Sequence, residues 1–321
     1  MMRPRNRAGA TIAAVVIVLA GVLAGTGSGG SFASSSVAGD PASDKLAQVL
    51  ARGTLILATD PAYPPFSSLV KSARRPASTK CAANQFTGNQ IVGYDADVSK
   101  LVARSLGVEA CFVAPKWVEI VGGHWGDRWD VAFASVGITR DRMSNLYYGQ
   151  PYSAQAERFF VRKSSRFTKV EQLSGKQLGG CGGCAAQFYL EKTLDMPGQK
   201  ITFRVNHAKF VGYDVESNGL AAVAKGKLDG FLCGVAVGAK AIAAGLPLRA
   251  VGADQYLANL SGAFDQSSDY SQAAFVAKTS DTIKALHANG TLRRLSLHYF
   301  HYDFATKARS FQISSLGQEI R

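Results

Sequence analysis

Residues 54–59, Thr-Leu-Ile-Leu-Ala-Thr, form a short apolar run bounded by Gly53 and Pro61, a pattern that predicts a buried strand. From Asp97 to Leu106 the apolar positions are Val98, Leu101, Val102 and Leu106. That is the spacing of one helix face, and Gly107 is its stop signal. Ala110–Val113 and Trp129–Val136 read as two further strands. Strand, helix and strand in alternation predict a parallel α/β lobe. The intervening residues 67–92 are polar, carry Lys71, Arg74, Arg75, Pro76 and Gly88, and read as an inserted loop.

The second half repeats the style. Phe159–Arg162 reads as a strand. Leu173–Gly180 leads through Cys181-Gly-Gly-Cys184 into a helix over 185–194. A helix over Leu220–Ala224 precedes a strand over Leu228–Val235. Asp281–Ala288 is a helix ended by Asn289-Gly290, and an amphipathic segment with Leu292, Leu295, Tyr299 and Phe300 follows. No short-period repeat of solenoid type is present.

The N-terminus changes how the rest is read. Arg3, Arg5 and Arg7 precede an uncharged apolar run, Ala10–Ala24, and then a Gly/Ser-rich stretch. Ser36-Val-Ala38 offers a small-x-small cleavage site, with Ser31-Phe-Ala33 as a second candidate. The expectation is a cleaved export signal over residues 1–38, the alternative an uncleaved anchor. No Cys closes the apolar run, so a lipoprotein is not expected. Removing residues 1–38 lowers the formal charge from +13 to +10. Export and the absence of a basic run interleaved with aromatics argue against a nucleic-acid partner. In an exported chain, the five Cys are disulfide candidates first. Cys81 is expected to pair with Cys111 and Cys181 with Cys184, leaving Cys233 free and buried. Pairing of Cys233 with Cys181 or Cys184 is the alternative. Cys-Gly-Gly-Cys lacks a thioredoxin-like setting and further metal ligands, so neither redox chemistry nor a metal is expected. No cofactor is expected.

Several short motifs follow one another in a telling order. They are Tyr63-Pro-Pro-Phe66, Gly93-Tyr-Asp-Ala-Asp97, Trp117, Asp130 through Ile138-Thr-Arg-Asp-Arg142, Tyr148-Gly-Gln-Pro-Tyr152, Leu173-Ser-Gly-Lys176, and Asn289-Gly290 with His298-Tyr-Phe300. In this order the chain resembles the bacterial extracellular solute-binding proteins of family 3, which serve polar amino-acid ABC importers. The resemblance covers roughly residues 45–305 and is poor over 250–275. It implies an α/β, two-lobe type II periplasmic-binding fold with two hinge crossovers and a ligand cleft between the lobes. Lobe one would comprise 45–154 plus 265–321, and lobe two 155–264. Hinge closure over the ligand is the implied motion.

The resemblance also assigns residues. Arg142 would hold a solute carboxylate, a planar anion that matches the guanidinium fork. Ala134, Ser135 and Gly137 lie at the C-terminal end of a predicted strand, where ligands of open α/β lobes bind. Tyr63 and Trp117 would be the platforms for the ligand side chain, though both are equally readable as core packing. Asp60 would face a cationic or amide side chain, or else start a turn before Pro61. Cys184 and Ala185 replace the usual hydroxyl residues of a helix start that offers N–H groups to an anion. Gly234 stands where the family places an acid for the ligand's ammonium. Either another acid such as Asp214 or Asp265 substitutes, or the ligand is not an ordinary α-amino acid.

The resulting expectation is a non-enzymatic, monomeric, extracytoplasmic protein. It captures a small carboxylate-bearing solute, an amino acid first, and delivers it to an ABC permease. Two alternatives stand beside it. One is an exported enzyme on the same scaffold, similar to cyclohexadienyl dehydratase, with Glu119 as the nearby acid. The other is a ligand sensor that docks on a receptor. Nothing in the chain has the order of a hydrolytic triad.

Overall fold

A computed structural model describes residues 39–321, and the expected export signal lies outside the described residues. The chain runs through α1 (Lys45–Arg52), β1 (Thr54–Ala58), β2 (Ser68–Leu69), β3 (Phe86–Thr87), β4 (Ile91–Val92), α2 (Tyr94–Ser105), β5 (Glu109–Val113), α3 (Trp117–Val121), β6 (Val131–Ala132) and β7 (Leu146–Tyr148). It continues through β8 (Ser153–Arg162), β9 (Gln177–Cys181), α4 (Ala185–Leu190), β10 (Lys209–Tyr213), α5 (Glu216–Ala224), β11 (Gly230–Gly234), α6 (Val235–Ala243) and β12 (Leu248–Leu260). It ends with β13 (Ala263–Asp265), α7 (Ala273–Ala288), α8 (Thr291–Phe300) and α9 (Ala305–Arg309).

Two sheets organise these elements. The first has the order β3-β5-β1-β6-β13-β7, the second β10-β9-β11-β8-β12. At the centre of the first, β1 pairs in parallel with β5 and β6. In the second, β9 pairs in parallel with β10 and β11. Parallel strands covered on both faces read as continuous apolar runs, and Leu55, Leu57 and Ala58 of β1 are fully buried. The chain passes between the sheets twice, from β7 into β8 and from β12 into β13. β8 and β12 form a long antiparallel pair from Ser153–Leu260 to Arg162–Leu248. The first sheet resumes at Ala263, just before the expected residue 265. Helices α7 and α8 then pack on α2.

The segment 67–92 is more ordered than its polarity implies. Three short strands lie in it: β2 and β4 pair with each other, and β3 adds an edge to β5 through Phe86–Phe112 and Thr87–Cys111. Cys81 is bonded to Cys111, and Cys181 to Cys184, while Cys233 is a buried thiol. The strand expected over 129–136 is paired only at Val131–Ala132, and the helix over 185–194 ends at Leu190. After β6 the chain leaves the sheet, and Ala134 and Ser135 form part of the wall of a cavity.

Removing the Cys81–Cys111 bond by the double change to Ser is expected to cost about 2–4 kcal/mol of stability, because it frees a closed loop in the unfolded chain. Urea unfolding checks this, and an unchanged midpoint would contradict it.

Candidate functional site

The cavity is lined by Asp60, Tyr63, Trp117, Ala134, Ser135, Gly137 and Arg142 from the first lobe. Cys184 and Ala185 line it from the second. The structure therefore brings together all nine residues singled out from sequence.

The first-lobe side chains are held by tight backbone packing. Tyr63 follows β1 in a turn whose carbonyls at Pro65 and Phe66 accept from the amides of Tyr94 and Asp95 at the start of α2. Gly93 makes that approach possible. A Cβ built on it would lie 2.3 Å from the Phe66 oxygen, and its φ is +134°. Tyr63 stacks on Phe66 with centroids 5.1 Å apart. Asp60 starts the expected turn and also borders the cavity. One oxygen accepts from the Ala62 amide at 2.9 Å. Burial raises its pKa above the ordinary carboxylate value, against the hydrogen bond from Ala62.

The segment after β6 is bound to the end of β12. The Ile138 amide donates to Asn259, and the Ser261 amide to Val136. Ser135 has a φ of +54°, and its hydroxyl donates to Asp95 at 2.7 Å, so its proton is already committed inside the lobe. The Tyr152 hydroxyl also donates to Asp95, at 3.0 Å, and burial still lifts the Asp95 pKa to about 7.

Arg142 opens a 3-10 turn and is 3% exposed. Its guanidinium donates to the Gly137 carbonyl at 2.9 Å and, across the cavity, to the Gly183 carbonyl at 3.2 Å. The Trp117 indole donates to the same Gly183 oxygen at 3.2 Å, and the guanidinium lies 5.0 Å from the Trp117 ring. Among the described residues the Arg142 Nε has no partner. A guanidinium with an unused donor has the chemistry to receive a carboxylate.

The second lobe contributes side chains that the sequence reading missed. Gln155 and Glu157 of β8, Tyr256 of β12 and Glu216 at the start of α5 all line the cavity. Burial raises the Glu157 pKa well above the ordinary value, and the nearby Glu216 raises it further. Glu216 is lifted to about 8 by burial, offset by a hydrogen bond with the Tyr63 hydroxyl and reinforced by the Asp60 charge. A signal for both was present. Gln155 and Glu157 alternate in a strand that turns apolar at Phe159, and Glu216 opens a helix directly after a parallel strand. Starting that strand at Phe159 and that helix at Leu220 concealed them.

Two of the alternatives raised from sequence lie outside the cavity, and Glu119 is the surface helix acid that is its other reading. Asp265 does not face the cavity; it accepts from the amides of His124 at 3.0 Å and Trp125 at 2.6 Å and fixes that loop. Glu119 also lies outside the cavity. It is exposed, caps α3 by accepting from the Lys116 amide at 2.9 Å, and pairs with Arg128 at 3.1 Å. Asp214 does line the cavity, as an exposed residue at its rim.

Residues 55–302 match the profile of the bacterial extracellular solute-binding proteins, family 3, and the chain belongs to that family. An arginine-binding periplasmic protein of Mannheimia haemolytica is 23% identical over 144 residues, which is 45% of this chain and 52% of that protein. Cyclohexadienyl dehydratase of Pseudomonas aeruginosa is 24% identical over 131 residues, 40% of this chain and 43% of the enzyme. The chain thus spans about half the length of these relatives. Among solved structures, a mutant of ArgBP from T. maritima superposes with a TM-score of 0.65 at 19% identity, covering 80% of this chain and all of that one. That likeness carries the fold, which is the two-lobe type II periplasmic-binding architecture.

The raised pKa of Glu216 has a stability consequence with a definite sign. Between the ordinary carboxylate value and about 8, the folded state holds a proton that the unfolded state releases, so stability falls as pH rises through that window. E216Q removes the titration. Ligand-stripped E216Q is expected to match the parent near about pH 5 and to exceed it near about pH 9. Urea midpoints at the two pH values check this, and an equal gap at both would contradict it.

Proposed function

We propose that the protein captures an amino acid with a cationic side chain outside the cytoplasm and presents it to an ABC permease. One observation carries the reading. A single cavity sets the guanidinium of Arg142 against the carboxyl groups of Asp60, Glu157, Asp214 and Glu216. The complement of such a wall is a ligand with one anionic group and more than one cationic group. Arg142 takes the carboxylate, and the acids take the cations. Tyr63 and Trp117 border the same space and supply apolar faces to the stem between those ends. Relatives whose names state that they bind arginine support this class of ligand.

Burial, and after it the neighbouring acids, raises the pKa values of Glu157 and Glu216. A cationic ligand supplies the counter-ion. Closure of two lobes on it is then stabilised by contacts from both sides, as at Gly183, where groups of one lobe meet the backbone of the other. The catalytic alternative rested on Glu119, and that residue is outside the cleft. Delivery to a permease is the role that family membership supports.

The test is calorimetric titration of L-arginine into protein stripped by unfolding and refolding. The parent protein is expected to bind, and Arg142→Ala to lose at least about 30-fold in affinity, since a buried charged partner is left unpaired. Its stability is expected to change little. Parental affinity in the variant would contradict the reading.

A further inference from the structure

The family resemblance puts the acid for a ligand's ammonium at the position of Gly234. The structure shows what occupies the neighbouring space. In the antiparallel ladder between β11 and β8, Gly234 pairs directly with Glu157. Residues paired in this way present their side chains to the same face of a sheet. A Cβ built on Gly234 would lie 3.5 Å from Glu157 Oε1 and 2.6 Å from Gln155 Oε1. Side chains of β8 therefore cover the bare backbone of β11.

Glu157 is also well placed relative to Arg142. On its other side it pairs with Tyr256 of β12, and Tyr256 lies within electrostatic range of both Glu157 and Arg142. The ammonium and carboxylate of an α-amino acid share one carbon, so their anchors must be neighbours. Tyr256, paired with Glu157 and within electrostatic range of Arg142, links the two. Glu216, beside Tyr63 and within range of Asp60, lies near Glu157 as well.

A separate observation marks this wall as ligand-facing. Gln155 Nε2, the Tyr256 hydroxyl and Arg142 Nε are buried, belong to residues that line the cavity, and have no hydrogen-bond partner among the described residues. Gln155 is 2% exposed and Tyr256 5%. Buried polar groups of this kind are rare unless something beyond the chain completes them. Three of them in residues lining one cavity describe a polar receptor.

We propose that Glu157 receives the ligand's α-ammonium, its carboxylate reaching from β8 to do what the absent acid at Gly234 does in the family pattern. This rests on the amino-acid reading above. The exchange is one strand sideways within the same sheet, and the longer Glu side chain spans the extra distance. Gly234 is a part of the arrangement, because a side chain there would displace Gln155.

The test compares L-arginine with 5-guanidinopentanoate, which lacks the α-amine, by calorimetry on the stripped full chain. E157Q is expected to weaken L-arginine by at least about 30-fold and to change the amine-free analogue by less than about threefold. E157Q/G234D returns an acid to β11, against the flexible end of Gln155. It is expected to recover at least about tenfold of the loss. Parental L-arginine affinity in E157Q would overturn the assignment while leaving the amino-acid reading intact. Equal weakening of both probes would overturn it too, since that is a long-range charge effect. A folded double variant with no recovery would overturn the positional exchange. A parent protein that binds neither probe would overturn both readings together.

Discussion

A carboxylate removed from water must find a counter-charge or keep its proton. The cleft is built on that constraint. Its wall carries several carboxyl groups and the guanidinium of Arg142, and among the described residues no ion pair joins them. Around α1 the chain instead pairs charges with one another. Lys45, 1% exposed, lies 2.7 Å from Asp127 and 3.8 Å from Asp130, and Arg52 also contacts Asp130. The contrast separates structural charge from receptor charge. The scaffold charges are mutually paired, whereas Arg142, Glu157 and Glu216 face a shared space.

The fold supplies the geometry for this separation. Each lobe is a mixed sheet with a parallel centre, and the antiparallel β8–β12 pair runs between the two crossovers. Alternate residues along that pair, Gln155 and Glu157 on one strand and Tyr256, Ala258 and Leu260 on the other, line the cavity. The Cys181–Cys184 bond closes the short loop whose Gly183 carbonyl accepts from both Trp117 and Arg142. Two donors of Arg142 are thereby spent on backbone carbonyls of opposite lobes. They orient the guanidinium and leave Nε on the cavity side.

Much of the first-lobe half of the site was legible because its residues belong to local motifs. Tyr63 sits in a Tyr-Pro-Pro-Phe turn, Arg142 in Ile-Thr-x-x-Arg, and Asp60 at the end of an apolar strand. Each is placed by its immediate neighbours in sequence. In the second lobe Cys184, Ala185 and Asp214 were legible, but its buried acids were not, and Gly234 showed only a missing one. Its answer depends on register. Nothing in the sequence around Glu157 states that it will stand opposite Gly234, because that pairing joins strands separated by β9, β10 and two helices. Glu216 depends in the same way on α5 meeting Tyr63 across the cleft. The short strands within 67–92 were missed for a related reason: their pairing with β5 and with each other is nonlocal, and their sequence is polar.

The most direct test of the whole account is a crystal structure of the protein with L-arginine. The account predicts the ligand carboxylate on the Arg142 guanidinium, its α-ammonium on Glu157, and its side-chain guanidinium between Asp60 and Glu216 beside Tyr63. A carboxylate bound away from Arg142, or a ligand seated outside this cavity, would contradict it.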